Sequence, residues 1–584
     1  MNNKITVTFG PSLKHSSKIV CFEYCADDFG GNFDVSPNYL SKISKILPPY
    51  LRAELNFENI QTIHDLLPMI VSALHNIGVP IEHFIKVSDQ GGGNYILCCE
   101  YNNQRRTVMS IRAAAMTLKV AGLKEGMAAP QAIGQINRMI EYVKKWAAGN
   151  VVQGFLMKAK ERNIPVRLLV NDSYTYSFGQ GKYGRIFNYS ASELDSFIGF
   201  TLQKSKAITN ELLEKTGYPT SEQRIVNSPD MCVAEANKLG FPVVIKPLSE
   251  GGGLGVTANI RTIEQLLVAF QEANKCSPQQ VLIEKHVEGD VHRITASGGE
   301  VLGLARRYPA QVIADGVSNI KTLIEKENIR RKEPELAALK VKQIMHDERL
   351  KMNLTNLGYT LDTIPEQGER VILGDIANRS AGGTLEMLNI DDMHPDYIEL
   401  SEQVSLLFRI DSIGIDVISP DISKSWREVG VIIELNCYPM AAPDLADKFL
   451  EKHFGKSEGR IDTTLIVSEN DEAARKIFNQ KMNEFENPGF ASKTTAEFKT
   501  GALKVVKNGL GHYCQAFILN KSCDALVVSI RPDEIIANGL PLDYFDRCII
   551  GQGIDIDKKI EALTDHKNLK NWLSQYCGNV EINE

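Results

Sequence analysis

Apolar residues recur along the chain at two spacings, which predict strands and helices in alternation. In residues 1–160, the apolar runs at 18–22 and 94–99 are typical of strands, whereas the stretches at 68–75 and 133–148 carry apolar residues at helical spacing. We therefore expect a small N-terminal α/β domain, and nothing in it requires a catalytic interpretation.

The pattern changes between residues 161 and 455. A strand-like run at 242–245 and a helical stretch at 263–274 are separated by glycine-rich sequence. Residues 321–350 mix acids and bases at helical spacing, so we expect a solvated helical insertion there. A smaller α/β segment follows from about residue 456. The predicted fold class is α/β (α+β), with three domains at 1–160, 161–455 and 456–584.

The composition narrows the function classes. Of the 584 residues, 43% are hydrophobic and 23% are charged, and the net charge is −7 without a long run of lysine or arginine. This balance argues against nucleic acid or an anionic membrane as the main partner. The first residues lack an apolar signal core and no run of ~18 apolar residues occurs, so we expect a cytoplasmic protein without a transmembrane helix. The eleven cysteines form no Cys-x-x-Cys pair, so we expect reduced thiols and no zinc site.

A lysine followed by glycines is the first candidate for chemistry. Residues 241–245 predict a buried strand that ends in Lys246, and four glycines follow within residues 251–255. Backbone N–H groups of such a loop can approach phosphate oxygens closely, and the lysine adds a positive charge. The pattern favours a phosphate-binding loop, although a plain turn has a similar composition.

Acidic residues on later strand-like runs form the second candidate. The run at 280–284 ends in Glu284, whose carboxylate can accept hydrogen bonds from ribose hydroxyls, although an ordinary edge strand has the same pattern. Asp416 lies in one apolar run, and Glu434 and Asn436 share one face of another because side chains alternate along a strand. Three oxygen ligands of this kind suit Mg²⁺. The alternative is that these polar residues cap turns at strand ends.

One glycine motif matches a dinucleotide-binding pattern but lacks the expected sequence context. Residues 179–184 match Gly-x-Gly-x-x-Gly, but a dinucleotide fold requires a helix that starts inside this motif. The following residues 185–190 lack a helical pattern, so we do not expect a Rossmann fold.

Taken in order, these motifs resemble the ATP-grasp superfamily and, more specifically, the cyanophycin synthetases. The superfamily resemblance rests on Lys206, Lys246, the loop at 249–255, the segment 284–289, Asp416, Glu434 and Asn436. The closer resemblance rests on the segments 289–293, 305–310, 378–384, 394–395 and 414–423. It covers residues 161–455 well and the N-terminal domain faintly.

The resemblance implies an ATP-dependent ligase in which a carboxylate is phosphorylated and an amine then attacks the acyl phosphate. The implied ATP-phosphate contacts are Lys206 and Lys246, covered by Ser249, Gly251, Gly252, Gly253 and Gly255. The implied adenine and ribose contacts are Glu284, Val287 and Glu288, and two Mg²⁺ ions would be held by Asp416, Glu434 and Asn436. Six further residues are implied to stabilise the transferred phosphate or to contact the substrate carboxylate and the acyl phosphate. They are Arg293, Arg306, Arg307, Arg379, Ser380 and Gly383.

The sequence departs from the family at several positions. Gly252 and Leu254 stand where the family's glycine loop usually carries a histidine and an arginine, and residues 374–376 replace an arginine-rich strand. Thr201 stands where an acidic residue is expected. We therefore expect ATP handling to be intact and substrate handling to be altered.

The C-terminal segment resembles the start of the Mur-ligase-like module of cyanophycin synthetases. The family's P-loop would fall on residues 468–473, where Glu472 takes the lysine position and the glycines are missing. A glutamate repels triphosphate, and the lost glycines prevent close backbone approach. We expect a truncated remnant of that module that does not bind nucleotide. Its expected role is in packing or in oligomer contacts. A substrate-docking platform is the alternative.

Three functions stay open at this point. The favoured hypothesis is a peptide ligase acting on an amino acid or a short peptide. The first alternative is a second type of cyanophycin synthetase, which joins β-aspartyl-arginine dipeptides into a polymer. The other alternative is a non-catalytic, ATP-binding scaffold. The resemblance also implies a homodimer or homotetramer.

Overall fold

The computed structural model divides the chain into two compact units. Residues 1–188 together with 453–584 form the first unit, and residues 189–452 form the second. The domain boundaries predicted at residues 160 and 455 stay predictions. The structure describes residues 4–29, 34–77, 84–123, 130–147, 149–170, 174–248, 254–278, 280–333, 341–346, 348–374, 377, 382–439, 443–504 and 509–582.

The N-terminal part of the first unit contains a four-stranded antiparallel sheet. Its strands are β1 (Ile5–Val7), β2 (Ile19–Cys25), β3 (Ile85–Gly91) and β4 (Asn94–Glu100), in the order β1–β2–β4–β3. Alternate residues of β2 and β4, such as Phe22 and Leu97, enter a core shared with several helices. The helices of this region are Pro37–Ile46, Pro49–Arg52, Ile63–His75, Gln104–Ala121, Pro130–Lys145 and Asn150–Glu161.

Three further strands complete this part of the first unit. They are β5 (Val166–Leu168), β6 (Thr175–Phe178) and β7 (Arg185–Asn188), which pair antiparallel in this order. The glycine motif at 179–184 forms a short 3₁₀ turn at Gly181–Tyr183 and leads into β7. Residues 185–188 form a strand, which confirms the expectation that the sequence after the motif is not helical.

The second unit begins with a short strand, β8 (Ala191–Ser192), and then forms an antiparallel sheet. The strands of that sheet are β9 (Gln223–Val226), β10 (Val243–Pro247), β11 (Thr257–Ile260) and β12 (Val281–Lys285), in the order β11–β10–β12–β9. Helices Pro229–Leu239 and Ile263–Cys276 bury their apolar faces against it. The strands predicted at 242–245 and 280–284 and the helix predicted at 263–274 are thus confirmed.

A second antiparallel sheet in the same unit has five strands. The unit's remaining strands are β13 (Asp290–Ser297), β14 (Glu300–Tyr308), β15 (Gln311–Ile313), β16 (Arg370–Ile372), β17 (Thr384–Leu388), β18 (Ser412–Ser419) and β19 (Val431–Asn436). Five of them form the order β17–β14–β13–β18–β19. The helices of this unit besides those above are Phe197–Lys204, Lys206–Lys215, Ile320–Arg330, Glu348–Asn356, Pro395–Phe408, Trp426–Val429 and Pro443–Phe454.

The insertion predicted at 321–350 is more than a solvated segment. Strands β15 and β16 pair antiparallel, and helices Ile320–Arg330 and Glu348–Asn356 share a small core with them. Ile320 and Ile324 are fully buried in that core. In helix Ile320–Arg330, the charged residues Lys321, Glu325, Lys326 and Arg330 are exposed, and their dense spacing hid the apolar positions that face inward.

The C-terminal part of the first unit is a seven-stranded, mostly parallel sheet. Its strands are β20 (Asp462–Val467), β21 (Gly489–Ala491), β22 (Ala496–Phe498), β23 (Gly501–Ala502), β24 (Ala525–Ile530), β25 (Phe545–Ile550) and β26 (Cys577–Ile582), in the order β23–β22–β21–β24–β20–β25–β26. Its helices are Glu472–Glu484, Leu510–Ile518, Pro532–Asn538, Asp557–Leu563 and Leu569–Leu573. The two sheet faces belong to separate cores, as in a layered α/β fold.

The fold class predicted from the sequence, a mixed α/β (α+β) chain, is confirmed by this arrangement. Within the residues that the structure describes, none of the helices is both long enough and apolar enough to cross a membrane.

Candidate functional site

A cavity of about 210 Å³ lies in the second unit and gathers polar side chains from its helices and both of its main sheets. Its lining residues are Gln203, Lys204, Lys206, Thr209, Asn210, Leu213, Gln223, Lys246, Glu284, Ile432, Ile433, Glu434, Leu435 and Asn436. Five residues predicted from the sequence therefore line one cavity, namely Lys206, Lys246, Glu284, Glu434 and Asn436.

An ion pair between two adjacent strands forms one wall of the cavity. Strand β10 pairs with β12 so that Val244 is opposite Glu284, which places Lys246 and Glu284 two positions apart on the same face. The Lys246 Nζ lies 2.5 Å from the Glu284 Oε1, and the residues are only 9% and 5% exposed. Buried charges of this kind require partners, so each group holds the other in place at the cavity.

Another part of the cavity lining comes from a break between two helices. Helix Phe197–Lys204 ends at Ser205, whose side chain caps the next helix by accepting from the Ile208 N–H at 3.4 Å. Lys206 is the first residue of that second helix. The Gln203 Nε2 donates to the Leu435 carbonyl at 2.6 Å, which ties this break to strand β19.

The sequence did not point to Gln203, Lys204, Asn210 or Gln223 as lining residues. Their side chains reach the cavity from helical positions or from an edge strand without a motif of their own. The only available signal was the polar run at 203–206 between two apolar stretches. Such runs are common at helix ends, so this signal was weak.

A second cluster lies on one face of the five-stranded sheet. The register places Asp416 opposite Arg293 on β13 and opposite Glu434 on β19. The Arg293 Nε and Nη2 both donate to the Asp416 carboxylate, the second at 2.8 Å, and the Arg307 Nη1 donates to it at 3.1 Å. The Asn436 Nδ2 lies 3.4 Å from the Asp416 Oδ2.

The Asp416 carboxylate is held as an anion in a buried setting. Asp416 is 1% exposed, and burial by itself works to raise its pKa, but Arg293 and then Arg307 outweigh that effect and keep the pKa of Asp416 below its usual value. Gly414 makes room for this arrangement, because a Cβ at that position would lie 2.8 Å from the Arg293 Nη1.

The donor atoms of this cluster fit a magnesium ion in kind. Asp416, Glu434 and Asn436 supply carboxylate and amide oxygens on two adjacent strands. Across the described part of the chain, no group of three or more His, Cys, Asp and Glu side chains is arranged to hold a metal. This cluster has two carboxylates, and its third candidate ligand is the amide of Asn436. Both oxygens of Asp416 accept from arginine, so a cation would have to replace guanidinium contacts.

The structure separates Arg306 from this cluster. Arg306 is opposite His292 and Arg293 is opposite Ala305, so Arg306 and Arg293 point to different faces of the sheet. Arg306 pairs instead with Asp290, a half-exposed carboxylate. Arg307, its neighbour, occupies the face that carries Asp416.

Other predicted residues lie outside the cavity lining. Val287 and Glu288 belong to the linker between β12 and β13, where Glu288 is exposed. Gly255 has a φ of +70°, and a Cβ there would lie 2.7 Å from the Pro247 Cγ, so this turn requires glycine. Gly383 is buried and directly precedes β17. The predicted residues that lie outside the described residues are Ser249, Gly251, Gly252, Gly253, Arg379 and Ser380.

Part of the cavity lining lies within a stretch that matches a known family model. Residues 204–341 match the family model described as the carbamoyl-phosphate synthase L chain, ATP binding domain. This stretch includes Lys206, Lys246, Glu284 and both arginines that hold Asp416. The chain therefore contains an ATP-grasp domain, as the sequence resemblance suggested.

Curated relatives extend this similarity. The chain is 32% identical over 296 residues to the cyanophycin synthetase of Synechocystis sp., and 27% identical over 306 residues to the glutathione biosynthesis bifunctional protein GshAB of Mannheimia succiniciproducens. The matches cover 50% and 49% of this chain but only 34% and 39% of those proteins. Homology to ATP-grasp ligases is thus shown for about half of the chain.

The similarity of this chain to solved structures is weaker than its similarity to the curated relatives. A bifunctional glutathione synthetase from Pasteurella multocida is 21% identical, with a TM-score of 0.39, over 60% of this chain and 51% of that one. A score this low supports no argument about the site.

Proposed function

We propose that the chain is an ATP-dependent carboxylate–amine ligase, which forms a peptide or amide bond through an acyl phosphate and releases ADP and phosphate. The observation that carries the proposal is the cavity in which Lys206, Lys246 and Glu284 meet Glu434 and Asn436. Cations for phosphate, a carboxylate for ribose hydroxyls and hard oxygen ligands are the groups that ATP requires.

Each polar group of the cavity has a role in this proposal. Lys206 and Lys246 bind the ATP phosphates, and Glu284 both orients Lys246 and accepts from the ribose. Val287 and Glu288 in the linker after β12 bind the adenine side, and the glycine loop before Gly255 covers the phosphates. These last assignments rest on the sequence resemblance alone.

The arginine cluster supports the chemical step. A substrate carboxylate oxygen attacks the γ-phosphorus, ADP leaves, and negative charge accumulates on the transferred phosphoryl group. Arg293 and Arg307 lie next to Asp416, where they can neutralise this charge without a large movement. The amine then attacks the acyl carbon, and phosphate leaves as the amide bond forms. Arg379, Ser380 and Gly383 remain proposed contacts to the acyl phosphate.

Magnesium is part of the proposal through the residues that would hold it. Asp416, Glu434 and Asn436 would bind Mg²⁺ as two ions. When bound, the ion supplies positive charge to the phosphate oxygens. To hold the ion, Asp416 would have to give up guanidinium hydrogen bonds, and Arg293 and Arg307 would then be available to substrate.

The relatives support a proposal for the substrate class. Amino acids or short peptides are proposed as substrates, and the 32% identity to a cyanophycin synthetase singles out β-aspartyl-arginine as one peptide to test. We also propose a cytoplasmic homodimer or homotetramer, with the parallel sheet of β20–β26 as a Mur-like remnant that does not bind nucleotide.

The test is a product assay with purified protein, ATP and Mg²⁺ across amino acids, short peptides and β-aspartyl-arginine. Mass spectrometry identifies the products, and a carboxylate labelled with ¹⁸O reports the intermediate. The proposal expects ADP, a ligated product, and ¹⁸O in the released phosphate, because the carboxylate oxygen leaves with the phosphoryl group. An insoluble Asp/Arg polymer would identify the dipeptide-polymerising alternative. ATP binding without stimulated ADP release would favour the scaffold.

A further inference from the structure

Two thiols lie directly opposite each other in the N-terminal sheet, far in sequence from the cavity. Cys21 on β2 is the register partner of Cys98 on β4, and their Sγ atoms are 3.3 Å apart. The two residues are 2% and 6% exposed. Directly opposed residues of antiparallel strands have Cα atoms ~4.5 or ~5.5 Å apart, and both values fall in the range that a disulfide spans.

A lysine extends this row across the third strand. Lys86 on β3 is the register partner of Cys98, so Cys21, Cys98 and Lys86 lie side by side on one face of the sheet. The neighbouring thiol of Cys21, and after it the charges of Lys14 and Lys86, lower the pKa of the Cys98 thiol against the effect of burial. Thiolate is the reactive form of cysteine, so the row favours reaction at Cys98.

The next residue on the same strand provides a contrast. Cys99 points to the other face, where it belongs to the main core of the N-terminal region. Burial raises the pKa of the Cys99 thiol. The Cys99 Sγ lies 3.7 Å from the His75 Nδ1. The pKa values of these two adjacent cysteines of β4 are thus shifted in opposite directions.

The thiol pair lies in a small apolar cluster, apart from the main core. Cys21 and Cys98 belong to a small separate cluster with Ile19 and Ile96, packed under the partly buried Phe84. The ring of Phe84 stacks on that of His15 at 3.8 Å. Exposing the pair requires opening only this small cluster, whereas exposing Cys99 requires opening the main core.

We propose that Cys21 and Cys98 are a thiol-modification site, at which oxidation forms a reversible disulfide that links β2 to β4. With hydrogen peroxide, the Cys98 thiolate attacks one oxygen, which gives a sulfenic acid and hydroxide. The Cys21 thiol then attacks the Cys98 sulfur, the S–S bond forms, and water leaves. Two thiols are oxidised and one peroxide is reduced to water. A dithiol reductant reverses the change. This inference is independent of the proposed ligase activity.

The experiment uses the full chain, incubated with hydrogen peroxide or in glutathione buffers of graded potential, then alkylated and digested without reduction. The expected result is a linked pair of peptides that contain Cys21 and Cys98, formed within one chain and removed by dithiothreitol. Cys25→Ser, a half-buried thiol on the same strand β2, is the matched control and retains the linkage. Cys98→Ser abolishes it.

The alkylation rate of Cys98 is a second measurement that needs no cysteine variant. In the reduced protein, Lys86→Met shifts the pH profile of Cys98 alkylation to higher pH and leaves that of Cys25 unchanged. Absence of the Cys21–Cys98 linkage at every potential, or linkage of either cysteine to a different partner, would overturn the proposal. So would a Cys98 that reacts no faster than Cys99 in the wild-type chain.

Discussion

Two regions of the molecule could each be read as a place for nucleotide phosphates, and they differ in charge. The cavity of the second unit presents Lys206 and Lys246 next to buried carboxylates. The turn after β20 in the parallel sheet, at residues 468–471, leads directly into helix Glu472–Glu484 and contains neither lysine nor glycine.

The turn after β20 has a backbone arrangement that suits anion binding, but its side chains are acidic. A strand followed by a short turn and a helix N-terminus is a common anion site, because the free N–H groups point outward. Here Asp471 is the N-cap, Glu472 is the first residue of the helix, and Glu469 lies in the preceding turn. They stabilise the helix dipole but repel a triphosphate. The comparison predicts that strand–turn–helix geometry does not suffice for phosphate binding in this chain, because the local charge is unfavourable.

The largest expected effect comes from Asp416→Asn. The change leaves Arg293 and Arg307 without their carboxylate and removes a proposed metal ligand. We expect ligase turnover to fall by at least ~1000-fold. A lower unfolding temperature is expected as well, since breaking a buried ion pair costs about 3–5 kcal/mol. Steady-state ADP release and thermal unfolding measure the two effects.

Asp290→Asn is the matched control for that variant. Asp290 also pairs with an arginine, Arg306, but it is 40% exposed and lies on the other face of the same sheet. Near wild-type turnover is expected. If Asp290→Asn were as damaging as Asp416→Asn, the assignment of the active face would be wrong.

A smaller effect is expected from Lys246→Met, which removes a positive charge from the cavity and leaves Glu284 buried alone. We expect the Kd for ATP to rise roughly 10- to 100-fold, as measured by calorimetry. The double variant Lys246→Met/Glu284→Gln restores thermal stability but not ATP affinity, because only the charge imbalance is repaired.

The neighbouring Lys285 supplies the control for the ATP measurement. Its Nζ donates to the backbone carbonyl of Gly240 at 2.8 Å and is absent from the cavity lining. Lys285→Met should therefore keep the ATP affinity of the wild type. A loss equal to that of Lys246→Met would remove the special role given to the Lys246–Glu284 pair.

Arg307→Gln tests whether arginine and metal compete for Asp416. With one guanidinium gone, we expect Mn²⁺, followed by electron paramagnetic resonance, to bind roughly 3- to 10-fold more tightly. Turnover should fall at the same time, because Arg307 also stabilises the phosphoryl group. Arg306→Gln, on the opposite face, should change neither quantity. Weaker Mn²⁺ binding by Arg307→Gln would show that the arginine supports the metal site.

The smallest effect is expected in the parallel sheet. Glu472→Gln removes one acidic charge from the turn after β20, yet the glycines and the lysine of a phosphate loop are still missing there. We expect the Kd for ATP to stay within roughly 2-fold of the wild type. A marked change in ATP affinity would mean that this turn takes part in nucleotide binding.

The sequence predicted those parts of the site that lie at the ends of clearly patterned strands. Lys246 and Glu284 follow apolar runs, and Glu434 and Asn436 share a face through the two-residue period of a strand. The strands, the helix at 263–274 and the mixed α/β fold class were predictable for the same reason.

The pairing of distant strands was not predictable. Arg306 and Arg307 are adjacent, so only one of them can face Asp416, and the register with β13 decides which. The contact between Arg293 and Asp416 joins residues 123 positions apart. Gln203 was missed because a hydrogen bond to the backbone of β19 places it, not a motif. The buried side of the insertion at 321–350 was missed because charged residues dominate its composition.

Hydrogen exchange of the full chain, followed by mass spectrometry with and without ATP and Mg²⁺, tests the central claim most directly because it needs no knowledge of the substrate. The account predicts slower exchange at the break between helices Phe197–Lys204 and Lys206–Lys215 and in β10, β12 and β19. It predicts unchanged exchange in residues 468–475. Protection centred on the turn after β20, or none in the strands that line the cavity, would contradict it.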